Sequence, residues 1–159
     1  MAKSQSLDEL IGTKAAEFAE QVRRTAAVAD KEEEIRIEVE KQLAFIQKEA
    51  GVKLEGKHEF TLAKGRVDSF YTRVLIEYKN PASPSDRLGP RLDSPGTKKV
   101  IEQIKNRFRA LKDEHNQPLG SLFGVGCDGI YFVFVRFRDE KWQVEEPVEV
   151  NKDSTEQSL

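Results

Sequence analysis

Two carboxylates and an ammonium interrupt a run that otherwise has the makeup of sheet core. Asp68, Glu77 and Lys79 lie within GRVDSFYTRVLIEYKNP, residues 65–81. Side chains alternate along an extended strand, so Glu77 and Lys79 share one face with Cα atoms ~6.6 Å apart. Val74, Ile76 and Tyr78 take the other face. Asp68 falls in the preceding segment, which an antiparallel connection brings alongside Glu77. Two carboxylates held together repel unless a cation lies between them. A hard divalent ion such as Mg²⁺ takes carboxylate oxygens and waters. A neighbouring lysine can orient a water or offset charge developing on a phosphate. Such a set of groups hydrolyses phosphodiesters. The alternative is that all three are solvated residues on the polar side of ordinary strands. Asp128, Asp139 and Lys141 repeat the same spelling, so pattern alone decides little. In that second match Asp128 falls in a turn and Asp139 at a strand end, with no helix following. The first match has a helix before it and a basic helix after it, and context favours it.

The elements that must position these groups follow from spacing. Residues 6–28 predict a helix, with Ser6 able to cap it and Leu7, Ile11, Phe18 and Val22 on a rough face. Residues 30–50 predict a second helix on Ile35, Val39, Leu43 and Ile46. The acidic run 32–34 suits the positive end of its dipole. Short β-branched and aromatic segments at 58–62, 66–71 and 73–79 then read as strands. Residues 80–96 hold four of the six prolines and read as a mobile loop. Ser94-Pro95 opens a third helix. It carries Val100, Ile101, Ile104, Phe108 and Leu111 on one face, with Lys98, Lys99, Lys105, Arg109 and Lys112 mostly elsewhere. Strands follow at 121–125 and 130–138 around a glycine-bounded turn. An edge strand is expected at 142–144, and residues 147–159 read as polar and frayed.

Composition narrows the chemistry. At 159 residues with 38% apolar and 34% charged residues, one domain with a real core is expected. No apolar run reaches the ~18 residues of a membrane span, and MAKSQSLDELIG has no export pattern. Cys127 is the only cysteine, which fits a reducing cytoplasm. With His58 and His115 as the only histidines, neither a Cys/His zinc site nor a Ser-His-Asp triad is expected. No glycine-rich phosphate loop is present. The net charge of −2 conceals a strong division. Residues 57–112 carry 13 basic and 6 acidic groups, a net of +7, between flanks of −3 and −6. Chance segregation of surface charge is one account of this middle third, and a phosphate-facing surface is the other.

Over residues 30–138 the chain resembles the PD-(D/E)XK nuclease superfamily, with the motif Asp68…Glu77-x-Lys79 and Val67 where proline is common. The wording Gly65-Arg66-Val67-Asp68 and Ile76-Glu77-Tyr78-Lys79 is similar to nuclease domains at the N-terminus of large restriction-modification polypeptides. The resemblance implies an α/β, restriction-endonuclease-like αβββαβ core, with a mixed central sheet flanked by helices and an extra N-terminal helix. It divides the chain into an accessory helix at 1–29, a nuclease-like core at 30–146 and a polar tail at 147–159. That tail would lead to methyltransferase, helicase or recognition domains. It further implies a cytoplasmic DNA endonuclease using Mg²⁺, or Mn²⁺ in its place, held by Asp68, Glu77 and the backbone carbonyl of Tyr78. Lys79 would position the attacking water. Relatives carry a further metal-linked glutamate on the first core helix, for which Glu33, Glu34, Glu38 and Glu40 compete. Helical geometry sets Glu38 ~60° from Ile35 and favours it, with Glu34 second. Relatives also carry a Gln-x-x-x-Tyr motif, of which Gln103 matches and Arg107 stands at the tyrosine position. Gln103, Arg107, Lys98, Lys99, Lys105, Arg87 and Arg91 are the expected DNA contacts. A homodimer cutting both strands, and a non-catalytic DNA-binding module of the same fold, remain alternatives.

Overall fold

Two helices come first because two amphipathic runs are separated by only three residues. α1 (Leu7–Val28) and α2 (Glu32–Ala50) pack against each other. Glu34 folds back to start α2, its carboxylate accepting the backbone N–H groups of Asp30 at 2.7 Å and Lys31 at 3.0 Å. This satisfies donors that no helical carbonyl reaches. The computed structural model describes the backbone of residues 7–50, 56–62, 65–71 and 74–151. Side chains are described chiefly for residues 14–45 and 74–151.

A mixed sheet of seven strands follows: β1 (Gly56–Leu62), β2 (Gly65–Tyr71), β3 (Val74–Tyr78), β4 (Phe123–Cys127), β5 (Tyr131–Arg138), β6 (Lys141–Val144) and β7 (Val148–Glu149). Neighbours run β1-β2-β3-β4-β5-β6, with β7 also on β5. All pairs are antiparallel except β3 and β4. Those two are parallel because α3 (Pro95–His115) carries the chain back along the sheet between them. α1 and α2 cover one face, where Phe18, Val22, Ala26, Ile35 and Val39 meet Ile76, Tyr78, Val125, Cys127 and Phe132. α3 covers the other, where Val100, Ile104 and Phe108 meet Leu75, Val133 and Val135. Gly124 permits this approach, since a Cβ there would run into Ile104 and come within 3.1 Å of the Phe108 ring. The fold is therefore α/β, three helices on a mixed sheet, as the sequence pattern predicts.

Four expectations differ from the structure. The N-terminal helix is no accessory, because Phe18, Ala19, Val22 and Ala26 are buried in the core and close one face of the sheet. The strand expected at 121–125 begins at Phe123, after a 3₁₀ turn at Leu119–Ser121 held by the Ser121 N–H and hydroxyl on the Pro118 carbonyl. The folded unit runs past 146. β7 pairs with β5, and Val150 is fully buried and donates its N–H to Ile130 at 2.8 Å. Lastly, residues 80–94 form a series of turns fixed to the body, not a mobile loop. Leu88 is only 3% exposed and packs with Val100 and Ile101. Polar anchors distant in sequence hold the rest: Leu88 N–H to Asp128, Gly89 to Thr97 and Leu92 N–H to Glu146.

Candidate functional site

Alternation along β3 sends Leu75 toward α3 and Ile76 and Tyr78 toward α1 and α2, so Glu77 points to the α3 side. Both expected residues of the strand end are nearly enclosed, Glu77 at 4% exposed and Lys79 at 8%. They are not solvated strand residues. Lys79 follows the last residue of β3, its N–H still bonded to the Cys127 carbonyl at 2.9 Å. A buried charge is costly unless a partner compensates it. For Glu77 that partner is Arg107, whose Nε lies 3.4 Å from Oε1, with side chains 16% and 5% exposed. Arg107 reaches it because helical spacing sets residues 103 and 107 on one flank of α3. The opposite flank carries Lys105 and Arg109, which lean over the Trp142 ring at 5.7 and 5.5 Å.

The chain leaving Lys79 returns a third carboxylate to the same end. Asp86 accepts from Lys99 Nζ at 2.6 Å. That hydrogen bond holds its carboxyl below the ordinary value of 3.8 against the opposing effect of burial, and the charges of Lys99 and Lys79 act in the same sense as the bond. Lys79 is therefore within electrostatic reach of Asp86 as well as on the strand end with Glu77. Sequence spacing had no means of finding Asp86. The signal lies instead in its place in the second turn of the proline-rich segment leaving β3, opposite Lys99 of the following helix.

Asp68 lies in β2. The pairs Ser69↔Ile76, Phe70↔Leu75 and Tyr71↔Val74 fix the register, and Asp68 and Glu77 are the next residue on each strand. The Asp68 side chain lies outside the described residues. Tyr78 buries its ring on the α1–α2 face, and its backbone sits beside Cys127. Neither helix glutamate joins Glu77. α2 packs by Ile35 and Val39 on the opposite face, Glu34 is spent on the backbone ahead of α2, and Glu38 accepts from Gln42 at 2.9 Å. Of the other competitors, Glu33 pairs with Arg36, and Glu40 lies 3.9 Å from the same guanidinium. Gln103 lies one turn before Arg107, and its Oε1 is buried without a hydrogen-bond partner among the described residues. Lys98, Arg87 and Arg91 are exposed, Arg91 beside Asp93 at 3.3 Å. Lys99 is tied to Asp86, and Lys105 lies on the far flank with Trp142. Asp128, the acid of the rival spelling, is fully buried in the β4–β5 turn. It accepts the N–H groups of Leu88, Ile130 and Tyr131, each at 2.8 Å. Its role is structural. Cys127 is packed, its thiol pushed up to about 12 by burial.

The donor set suits a hard divalent ion in kind, because a nearly enclosed carboxylate stands where a cation is already required. Among the described residues no three acids, histidines or cysteines come close enough to hold one. A metal site here thus depends on Asp68 beside Glu77. The chain matches no family model, no curated protein and no solved structure.

Proposed function

We propose that this domain is a metal-dependent DNA endonuclease of the PD-(D/E)XK type, from a cytoplasmic restriction-modification or similar defence enzyme. The observation that carries the reading is the joint burial of Glu77 and Lys79 on the α3 side of a central strand, with Asp68 next in register. The element order α2-β1-β2-β3-α3-β4, with β3 parallel to β4, agrees with the αβββαβ core that the motif implies. Asp68, Glu77 and the Tyr78 carbonyl would hold Mg²⁺ or Mn²⁺, which supplies Lewis acidity and a more acidic bound water. Lys79 would hold the attacking water in line and face the phosphate. Exposed Lys98, Arg87 and Arg91 would meet the DNA backbone, which positions a duplex without reading its sequence.

A non-catalytic DNA-binding module of the same fold is the second reading, and the guanidinium on Glu77 favours it. Nicking of supercoiled plasmid in Mg²⁺ or Mn²⁺ separates the two. Asp68→Ala, Glu77→Gln and Lys79→Ala should each lower the rate by about 100-fold or more while DNA binding without metal persists. A Lys79→Ala variant that nicks at the parent rate would remove the assignment. DNA binding with no metal-dependent nicking by the parent would leave the module.

A further inference from the structure

The Arg107–Glu77 pair lies at the centre of the site, and its chemistry is exclusive. Glu77 is nearly enclosed, so its charge needs a cation beside it. Arg107 Nε supplies one at 3.4 Å, from a side chain itself only 16% exposed. A divalent ion on Glu77 Oε1 would take the place of Arg107 Nε and would face a guanidinium a few ångströms away in a poorly solvated pocket. Like charges at that range in a poorly solvated pocket repel strongly. Both cannot be accommodated.

Resting on the metal-dependent reading above, we infer that Arg107 is an internal counter-cation occupying the place of the metal on Glu77. Metal uptake requires its withdrawal. Arg107 is then a positioning residue that offsets the buried charge of Glu77 before metal arrives, at the expense of metal affinity. It is not a DNA contact in the metal-free protein. Position supports this, since Arg107 is the cation of α3 shown beside Glu77, whereas Lys105 and Arg109 lie over Trp142 and Lys99 is on Asp86. The withdrawal costs little backbone change, because a long side chain on a regular helix need only change rotamer.

The test is Mn²⁺ and Mg²⁺ binding by titration calorimetry, together with thermal melts with and without each ion. It uses the full chain and Arg107→Gln, with Arg107→Lys and Glu77→Gln as references. Arg107→Gln should bind Mn²⁺ about tenfold more tightly, as follows if about a tenth of the parent has Glu77 clear of the guanidinium. Without metal its melting temperature should fall, and Mn²⁺ should restore more of it than in the parent. Arg107→Lys keeps the charge and should bind metal like the parent, and Glu77→Gln should not bind it. If Arg107→Gln does not fold without metal, Mn²⁺ should recover its fold. Unchanged or weaker Mn²⁺ binding by Arg107→Gln, or a melting deficit that metal does not relieve, overturns the inference. Parent protein that binds metal and nicks DNA alongside such a result keeps the nuclease reading. Tighter binding by Arg107→Gln with no nicking by any form keeps the inference and removes catalysis. If no form binds metal, both fail.

Discussion

Asp128→Ala should loosen the chain that leaves the candidate site, and the structure sets the size of the effect. Asp128 is fully buried and accepts three backbone N–H groups, Oδ1 from Ile130 and Tyr131 and Oδ2 from Leu88, all at 2.8 Å. An unsatisfied buried donor costs about 1–3 kcal/mol. The Leu88 amide is buried and takes the full cost, whereas those of Ile130 and Tyr131 are partly buried and can recruit water. Against this stands the relief of a buried charge. Burial pushes the Asp128 carboxyl above its ordinary 3.8, although its backbone donors pull the other way. The balance is a loss of about 2–4 kcal/mol, a large share of a typical domain's stability. Asp128→Asn keeps Oδ1 and loses only the Leu88 bond, for about 1–2 kcal/mol. Urea unfolding gives the totals, and hydrogen exchange at Leu88 and its neighbours shows where they fall. Equal losses in the two variants, or a Leu88 amide that stays protected in Asp128→Ala, would refute this role for Asp128.

Three shorter predictions follow from the same surroundings. Gly96→Ala should cost about 1–3 kcal/mol and free residues 85–94, because a Cβ would collide with the carbonyls of Arg87 and Asp86; denaturant melts and proteolysis of that segment check this. Cys127, with its thiol near 12, should not react with a disulfide reagent at pH 8 until the protein unfolds; rapid labelling of native protein would contradict it. The Asp86 carboxyl sits below its ordinary value in the folded state, so its bond to Lys99 contributes stability above pH about 4 and loses it as the pH falls through the lowered value. Because the pair is half exposed, Lys99→Met should flatten that part of the stability curve by no more than about 1 kcal/mol in urea melts at pH 3–7.

Periodicity made the helices and the central strands legible. Ile35 and Val39 on α2, and Val100, Ile104 and Phe108 on α3, are buried as their spacing predicts, and α3 begins at Pro95 where the helix-start signal stands. The placement of Glu77 and Lys79 on one face follows from strand alternation alone. What spacing does not carry is which layer lies over which face. Glu38 shares a helix side with the exposed Phe45, but α2 covers the Ile76–Tyr78 face, so no rotation of α2 brings Glu38 across the sheet to Glu77. The segment 80–94 misleads for a related reason. Proline and serine content predicts irregular backbone correctly, but irregular backbone is rigid when remote groups satisfy it. Asp128, Thr97 and Glu146 lie 40, 8 and 54 residues from the amides they accept. Val150 is buried at the end of a polar stretch for want of any local signal at all.

The distribution of buried charge separates a site from ordinary architecture. Among the described residues Glu77, Lys79 and Asp128 are the charged side chains buried in the body. Asp128 explains itself, since three backbone donors need its oxygens and a turn and a loop depend on them. Glu77 and Lys79 are placed differently: Glu77 lies against Arg107 on α3, and Lys79 follows β3 with its N–H on the Cys127 carbonyl. An apolar pair at 77 and 107 would fill the space between β3 and α3 without any desolvation penalty, and buried ion pairs are often no more stabilising than such replacements. Lys79 is harder still to account for by packing, because its stem ends β3 at a strand terminus where a shorter polar residue would serve. Retaining an enclosed carboxylate, an enclosed ammonium and a largely enclosed guanidinium at one end of one strand therefore carries a desolvation cost that an apolar set would not. The chemistry proposed for that end is a use that would offset the cost.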